Sequence, residues 1–219
     1  MDSYSSEEDE YEFNLWQAFK KLSVSALEAI VSDTEDPTGM IAVTQLHLRG
    51  NESSFQLAID LTKKSTPELR ARGARILAQL GTPAFPYKDR SVPLLTALLL
   101  EDSSSYVQSE AVSALGHLKA EGAVAALSHA AASSDVDLRI SVAVALGSTS
   151  QGDHPPQALL HLTHDPIASV RSWAALALGT REGAGQIEKA RLTEMLTDPE
   201  PEVSEEAKDS LMLLASKGV

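Results

Sequence analysis

The chain has 219 residues, 43% of them hydrophobic, and a formal net charge of −13 at pH 7. This length and apolar content suffice for a buried core without a second domain. The chain contains no cysteine, which excludes a disulfide framework, a thiolate metal site and a cysteine nucleophile. The acidic balance argues against a general nucleic-acid binder, because affinity for phosphates depends on Lys and Arg. No apolar run approaches the length needed to span a membrane.

The N-terminal residues Met1 to Glu12 contain six acidic residues and no basic one. They show no helical stripe, so we expect a disordered acidic tail followed by one repeat domain over residues 13–219. This composition is the opposite of a signal or transit peptide, which favours a cytoplasmic protein. The next segment, Phe13 to Val31, concentrates large apolar side chains and is typical of a cap that covers the open end of a helical stack.

The helix signals that follow are regular. Asp36-Pro37 opens a helix over Thr38 to Leu48, and Pro67 opens another that ends at Leu80 before Gly81. An irregular connection, Thr82 to Arg90, comes next. Insertions in repeat arrays map to one edge, which is often the binding edge, so this connection is either a functional lip or a neutral insertion. Its candidate contact residues are Phe85, Tyr87 and Arg90.

From Val92 the chain repeats one pattern four times: a Leu-rich first helix, a turn, and a second helix with an aliphatic stripe. The first aliphatic residues of the second helices are spaced by 38, 31, 32 and 33 residues, at Leu69, Val107, Leu138, Val170 and Val203. A period in the thirties with one stripe per unit predicts a stacked solenoid. A degenerate first copy at Thr38 makes six units, so the predicted fold class is an all-α solenoid of about six antiparallel helix pairs.

Glycine ends the stripe in three of the second helices, at Gly116, Gly147 and Gly179. A residue without Cβ there permits either close helix packing or a left-handed stop. With the motif D-P-x-x-x-V-R-x-x-A-x-x-A-L-G, complete over Asp165 to Gly179, the pattern resembles HEAT repeats, in particular the short bacterial type of the phycobilisome lyase proteins.

That resemblance implies a ladder in which the turn Asp and the Arg six residues later connect neighbouring repeats. Only Asp165 with Arg171 matches this pair in full. Arg70 and Arg139 keep only the basic half of the motif, and Asp102 and Asp198 keep only the acidic half. We therefore expect a broken ladder.

Residues with catalytic or metal-binding chemistry are sparse. His154, His161 and His164 lie near Asp165, but their loose spacing favours surface or packing histidines over a metal site. The nucleophile-elbow, dinucleotide, P-loop and zinc-protease motifs are all absent from the sequence. We expect neither a catalytic residue, nor a metal, nor a cofactor.

The exposed flank of the second helices is where a partner of a HEAT solenoid is expected, on the concave face. Helical spacing places there a series that runs from basic through apolar to acidic. The series is Arg72, Arg75, Glu110, His117, Ile140, Val144, Trp173, Leu176, Glu206 and Asp209. An apolar centre that contains a Trp is how interface hot spots are built. The alternative is that the superhelix closes enough to bury these groups.

Three functional hypotheses remain. The first is a monomeric, non-enzymatic protein-binding module, either an adaptor or an immunity-type inhibitor of a basic partner protein. The second, implied by the resemblance, is a bilin lyase or isomerase subunit, which needs His or Tyr beside a tetrapyrrole. The third is a HEAT-like DNA glycosylase, for which the basic segment from Lys63 to Arg90 is short.

Overall fold

The computed structural model of the protein describes residues 7–149, 152 and 154–218. Within these residues thirteen α-helices and one 3₁₀ helix form, and no residue is assigned to a strand. The chain divides into two compact units, Met1–Lys88 and Asp89–Val219. The helices of the first unit are α1 (Glu7–Phe19), α2 (Val24–Ser32), α3 (Gly39–Arg49), α4 (Glu52–Thr62) and α5 (Pro67–Gln79).

The second unit contains the remaining helices, apart from Lys88 at the start of α6. They are α6 (Lys88–Glu101), α7 (Ser105–His117), the 3₁₀ helix Glu121–Ala123, α8 (Val124–Ala130), α9 (Val136–Thr149), α10 (Gln157–Leu162), α11 (Ala168–Thr180), α12 (Gln186–Met195) and α13 (Pro201–Ser216). After α1, six successive helix pairs run from α2 and α3 to α12 and α13. The predicted fold class, an all-α helical solenoid, is therefore confirmed.

The N-terminal boundary differs from the sequence interpretation. Helix α1 begins at Glu7, so residues 7–12 of the predicted disordered tail are helical, whereas residues 1–6 lie outside the described part of the chain. Glutamate is a good helix former, and this propensity extends the helix backwards from the apolar segment. Of the segment predicted as a cap, Phe19, Leu27 and Val31 are buried, whereas Phe13 is exposed.

An arginine caps the end of a helix in the first unit. The last carbonyl groups of a helix have no partner within it. The Arg49 guanidinium of α3 donates hydrogen bonds to the carbonyls of Phe19 and Leu22, at and just beyond the end of α1. These bonds tie α3 to the end of α1, and α1 also packs against α3.

The second helices form a continuous layer in the second unit. Helix α7 packs against α9, α9 against α11, and α11 against α13, while α8, α10 and α12 each pack against the helix that follows them. The predicted stripe of α11, Val170, Ala174 and Leu178, is fully buried. Across the described residues, none of the helices has the length and apolar character required to cross a membrane.

Candidate functional site: the second-helix face of residues 89–219

Glycines set the close approach of the second helices. Gly116, Gly147 and Gly179 lie inside α7, α9 and α11, and none of them has a positive φ. A Cβ at residue 147 would lie 2.9 Å from the Ala177 Cβ, and one at residue 179 would lie 2.5 Å from the Ser210 Cβ. Real Cβ contacts do not reach such distances. These glycines therefore serve close packing between neighbouring second helices and not a left-handed stop.

Two partly buried ion pairs connect successive repeats at the opposite, N-terminal ends of these helices. The Arg139 guanidinium donates to both carboxylate oxygens of Asp165, at 2.7 and 3.0 Å, and Arg171 contacts Asp198 in the same way at 2.8 and 2.7 Å. Each arginine also donates to carbonyls of its own turn. The expectation of a broken ladder is wrong for these repeats, because the Arg of one repeat pairs with the Asp of the next.

These pairs also shift the acidity of the carboxyl groups. The hydrogen bond from Arg171 is the main cause that lowers the pKa of Asp198 below its ordinary value. Burial by itself raises the pKa of Asp165, but hydrogen bonds from Arg139 and from the Ile167 N–H outweigh burial and lower it. Both carboxylates are therefore charged at neutral pH, and the bidentate geometry holds neighbouring repeats in register.

An open cleft of about 570 Å³ lies on the face of α7, α9 and α11. Its apolar wall includes Ile140, Val144 and Trp173, and its polar wall includes Ser113, Ser141, Ser148, His117 and Lys119. A second cavity of about 250 Å³ shares Lys119, Val144 and Ser148 with the cleft and adds Leu176, Thr180 and Glu182. The structure thus brings together His117, Ile140, Val144, Trp173 and Leu176 of the predicted surface.

The apolar residues of the cleft are accessible. Trp173 is 44% exposed and Val144 is 43% exposed, while Ile140 and Leu176 are partly exposed. Within residues 89–219, therefore, packing does not bury these side chains. Exposed aromatic and aliphatic groups around a concave site are typical of binding surfaces.

Acidic residues on α13 form the far end of the predicted surface in this unit. Asp209 is exposed and Glu206 is partly buried. Burial is the main cause that raises the pKa of Glu206, the charge of Asp209 adds to it, and the hydrogen bond with Ser210 opposes it. Neither residue lines the two cavities, and Glu110 of α7 does not line them either.

The predicted basic residues belong to the first unit. Arg72 of α5 donates to the carbonyls of Val31, Asp33 and Thr34, at 2.7, 2.9 and 3.4 Å. Its guanidinium therefore satisfies the end of α2 and connects two repeats. Arg75 lies on the same helix, with its guanidinium 3.4 Å from the Met40 sulfur.

The irregular connection packs against the first unit through an aromatic contact. The ring of Tyr87 stacks on that of Phe55, with centroids 4.8 Å apart, and Phe55 is buried in the first unit. Phe85 has a φ of 47°, a left-handed conformation that is uncommon for a bulky side chain. Arg90 is not in the connection, because α6 already begins at Lys88.

The histidines near Asp165 lie at the surface. His154, His161 and His164 are exposed. Burial, followed by the nearby charge of Arg191, lowers the pKa of His164. In the described residues, no group of three or more His, Asp or Glu side chains is arranged to hold a metal ion.

The sequence interpretation missed the charged residues beside the smaller cavity. The Lys119 Nζ lies 2.6 Å from the Glu182 Oε1. Directly before Glu182, the Arg181 guanidinium is completely buried and forms an ion pair with the equally buried Glu188. Arg181 follows a stripe that ends at Gly179, and nothing in its spacing signals burial. The acid seven residues later, Glu188, is the only sequence feature that indicates a partner.

The stacked helix pairs define a helical-repeat protein. Residues 92–179 match the family model described as HEAT repeats, which confirms the resemblance of this segment to HEAT repeats. The resemblance to the phycobilisome lyase type stays a prediction.

Other similar proteins align with most of this chain. Protein YibA of Escherichia coli (strain K12) is 25% identical over 211 residues, which cover 94% of this chain and 75% of YibA. The X-ray structure of E. coli YibA superposes with a TM-score of 0.73 at 23% identity, over 99% of this chain and 80% of that chain. A designed armadillo repeat protein in complex with the peptide (KR)4 has a TM-score of 0.58 at 14% identity, over 88% of this chain and 99% of that chain. These similarities show a helical-repeat fold, which is typical of protein-interaction modules.

Proposed function

We propose that this chain is a non-enzymatic, monomeric protein-binding module of the cytoplasm that uses the second-helix face of residues 89–219. The observation that carries the proposal is the cleft of about 570 Å³ with Trp173 and Val144 accessible in its wall. A large aromatic group in a concave apolar site is the usual centre of an interface hot spot. An adaptor and an immunity-type inhibitor would use the same cleft.

We propose a basic protein as the partner. The chain carries a net charge of −13, and α13, which packs beside α11, carries Glu202, Glu205, Glu206 and Asp209 against one lysine, Lys208. Such charges steer oppositely charged partners towards a surface. The designed armadillo protein, which shares the fold, is in complex with a peptide of Lys and Arg. Its helical-repeat scaffold is therefore compatible with a basic ligand.

The experiment is affinity capture with matched variants. The tagged protein captures partners from its native cells, and the captured proteins are identified by mass spectrometry. Trp173→Ala removes the aromatic group from the cleft, and Ile187→Ala is the control because Ile187 on α12 is similarly exposed, at 40%, but lies outside both cavities. The partner should be captured by the wild type and by Ile187→Ala, and Trp173→Ala should weaken its binding by about 2 kcal/mol or more.

The circular dichroism of Trp173→Ala should match the wild type, since its side chain is exposed. Equal capture by all three proteins, or no captured partner at all, contradicts the proposed site.

A further inference from the structure

An ion pair lies beside the cleft, in the lining of the smaller cavity. The Lys119 Nζ and the Glu182 Oε1 are 2.6 Å apart, and both side chains are exposed. Lys119 follows α7 and Glu182 follows α11, so the pair bridges over the intervening helix α9. Lys119 lines both cavities, and Glu182 lines the smaller one. The hydrogen bond from Lys119 is the main cause that lowers the pKa of Glu182, which keeps this carboxylate charged.

A buried network holds the backbone next to Glu182. Glu182 follows Arg181, whose buried guanidinium contacts Glu188 and donates to the carbonyls of Gly152 and Glu182 at 2.7 and 3.2 Å. This buried network fixes the backbone that carries the Glu182 carboxylate. The side chains of Lys119 and Glu182 are both exposed, at 48% and 63%. The backbone at Glu182 is therefore positioned by the fold, while the ion pair itself is open to solvent and to exchange with another cation.

We propose that Lys119 occupies the place of a basic side chain of the partner, and that Glu182 selects this side chain. This inference rests on the proposed function. A segment of the partner places a large apolar side chain in the cleft beside Trp173. A neighbouring Lys or Arg then displaces Lys119 from Glu182. The ligand class is thus a polypeptide segment in which basic and large apolar residues adjoin.

The charges around the cavity favour this ligand over an acidic one. Residues 182–209 contain nine acidic and three basic residues, and the acids of α13 lie on the helix next to α11. The charge of Lys217 also lowers the pKa of Glu182, but the Lys217 Nζ donates to the carbonyls of Gly179 and Thr180, at 3.0 and 3.4 Å. A cation that replaces Lys119 therefore enters a region of negative charge, and Arg can contact a carboxylate with two hydrogen bonds.

Displacement is easy because exposed ion pairs contribute little to stability. Removing Lys119 should leave the fold intact and leave Glu182 available to the ligand. The inference therefore predicts that loss of a cleft residue strengthens binding, which no purely structural role of Lys119 would produce.

The probe is a fluorescein-labelled synthetic peptide in which Arg alternates with Leu, and fluorescence anisotropy measures its dissociation constant. Lys119→Ala should bind this peptide roughly two- to five-fold more tightly than the wild type, the range expected for an exposed ion pair. Glu182→Gln should bind it more weakly by a similar factor. Lys189→Ala is the control, because it removes the same charge from α12, outside both cavities. A peptide with Glu in place of Arg should not bind.

Unchanged or weaker binding by Lys119→Ala overturns the inference. The inference is also overturned if the wild type does not bind the Arg-Leu peptide, or if it binds the Glu peptide equally well. Tighter binding by Lys189→Ala to the same extent also overturns it, since net charge alone would then explain the effect. Trp173→Ala separates the two proposals. If Trp173→Ala no longer binds the peptide while Lys119→Ala binds it no more tightly than the wild type, the cleft is supported and only the proposed exchange at Glu182 is refuted. If Trp173→Ala binds as the wild type does, the cleft itself is refuted.

Discussion

The packing of α11 against α13 depends on the missing side chain of Gly179, so Gly179→Ala should destabilise the protein. Its Cβ would lie 2.5 Å from both the Cβ and the Oγ of Ser210, and 2.9 Å from the Ser210 Cα. The backbone of α13 must therefore move, and overpacking of this kind costs about 1–3 kcal/mol. The hydrogen bond from Ser210 to the Ala175 carbonyl contributes about 1 kcal/mol more if it breaks. Against this stands a gain of about 1 kcal/mol from the helix propensity of Ala over Gly.

We expect a net loss of about 1–3 kcal/mol, measured by urea denaturation of the full chain with far-UV circular dichroism. The matched control is Gly122→Ala, because a Cβ at residue 122 meets nothing within 4 Å, and its stability should stay within about 0.5 kcal/mol of the wild type. In the Ser210→Gly background the cost of Gly179→Ala should fall. A Gly179→Ala variant as stable as the wild type, or a cost unaffected by Ser210→Gly, refutes the close packing.

Three further substitutions test the interior of residues 89–219 by the same denaturation assay. Leu178→Ala should cost about 2–5 kcal/mol through lost burial and a cavity, and a change within about 0.5 kcal/mol would place the stripe out of register. Glu188→Ala should cost about 3–5 kcal/mol because it removes the buried carboxylate that pairs with the Arg181 guanidinium, with Arg181→Met plus Glu188→Leu recovering much of it; a loss below about 1 kcal/mol contradicts the buried pair. Because Arg171 lowers the pKa of Asp198, this carboxylate stabilises the fold above its ordinary pKa, and the contribution is lost as the pH falls through the lowered value. The stability difference between the wild type and Asp198→Asn should therefore be about 1–2 kcal/mol at pH 7 and shrink on acidification; a difference independent of pH contradicts the pairing.

The repeat architecture was predictable because each helix pair leaves the same periodic trace. The second helices begin within a few residues of the positions that the aliphatic stripe indicates, and Val170, Ala174 and Leu178 are buried as expected. Helix boundaries were less predictable. The first helix of the third pair was expected from Val92, yet α6 begins at Lys88. Pro93 therefore lies inside the helix, although a proline is best tolerated in the first turn and so suggests a later start.

Contacts between repeats were the weakest part of the sequence interpretation. The ladder was expected only where one repeat carries both the turn Asp and the Arg, so the incomplete motifs at Arg139 and Asp198 indicated a broken ladder. In the structure these residues find partners in adjacent repeats, at Asp165 and Arg171. Because the pair forms across repeats, a repeat that keeps only the Asp or only the Arg can still pair, provided that its neighbour supplies the other residue.

The candidate site was predictable where its residues lie on the second helices. Helical spacing places His117, Val144 and Trp173 on the exposed flank of their helices, and all three line the cleft. Lys119 and Glu182 lie in the connections after α7 and α11, where no periodicity indicates the direction of a side chain. Their contact over 63 residues of sequence depends on the close approach of the helices at Gly147, which only the packed structure reveals.

Site-specific photo-crosslinking in native cells tests the central claim most directly. A photoreactive benzoylphenylalanine replaces Val144, which is exposed in the cleft, or Ile187, which is equally accessible on α12. Binding through the second-helix face predicts a covalent adduct with one basic protein from position 144, none from position 187, and loss of the adduct when Trp173→Ala is added. Adducts that form equally from both positions, or from position 187 alone, would contradict the claim that this cleft is the binding site.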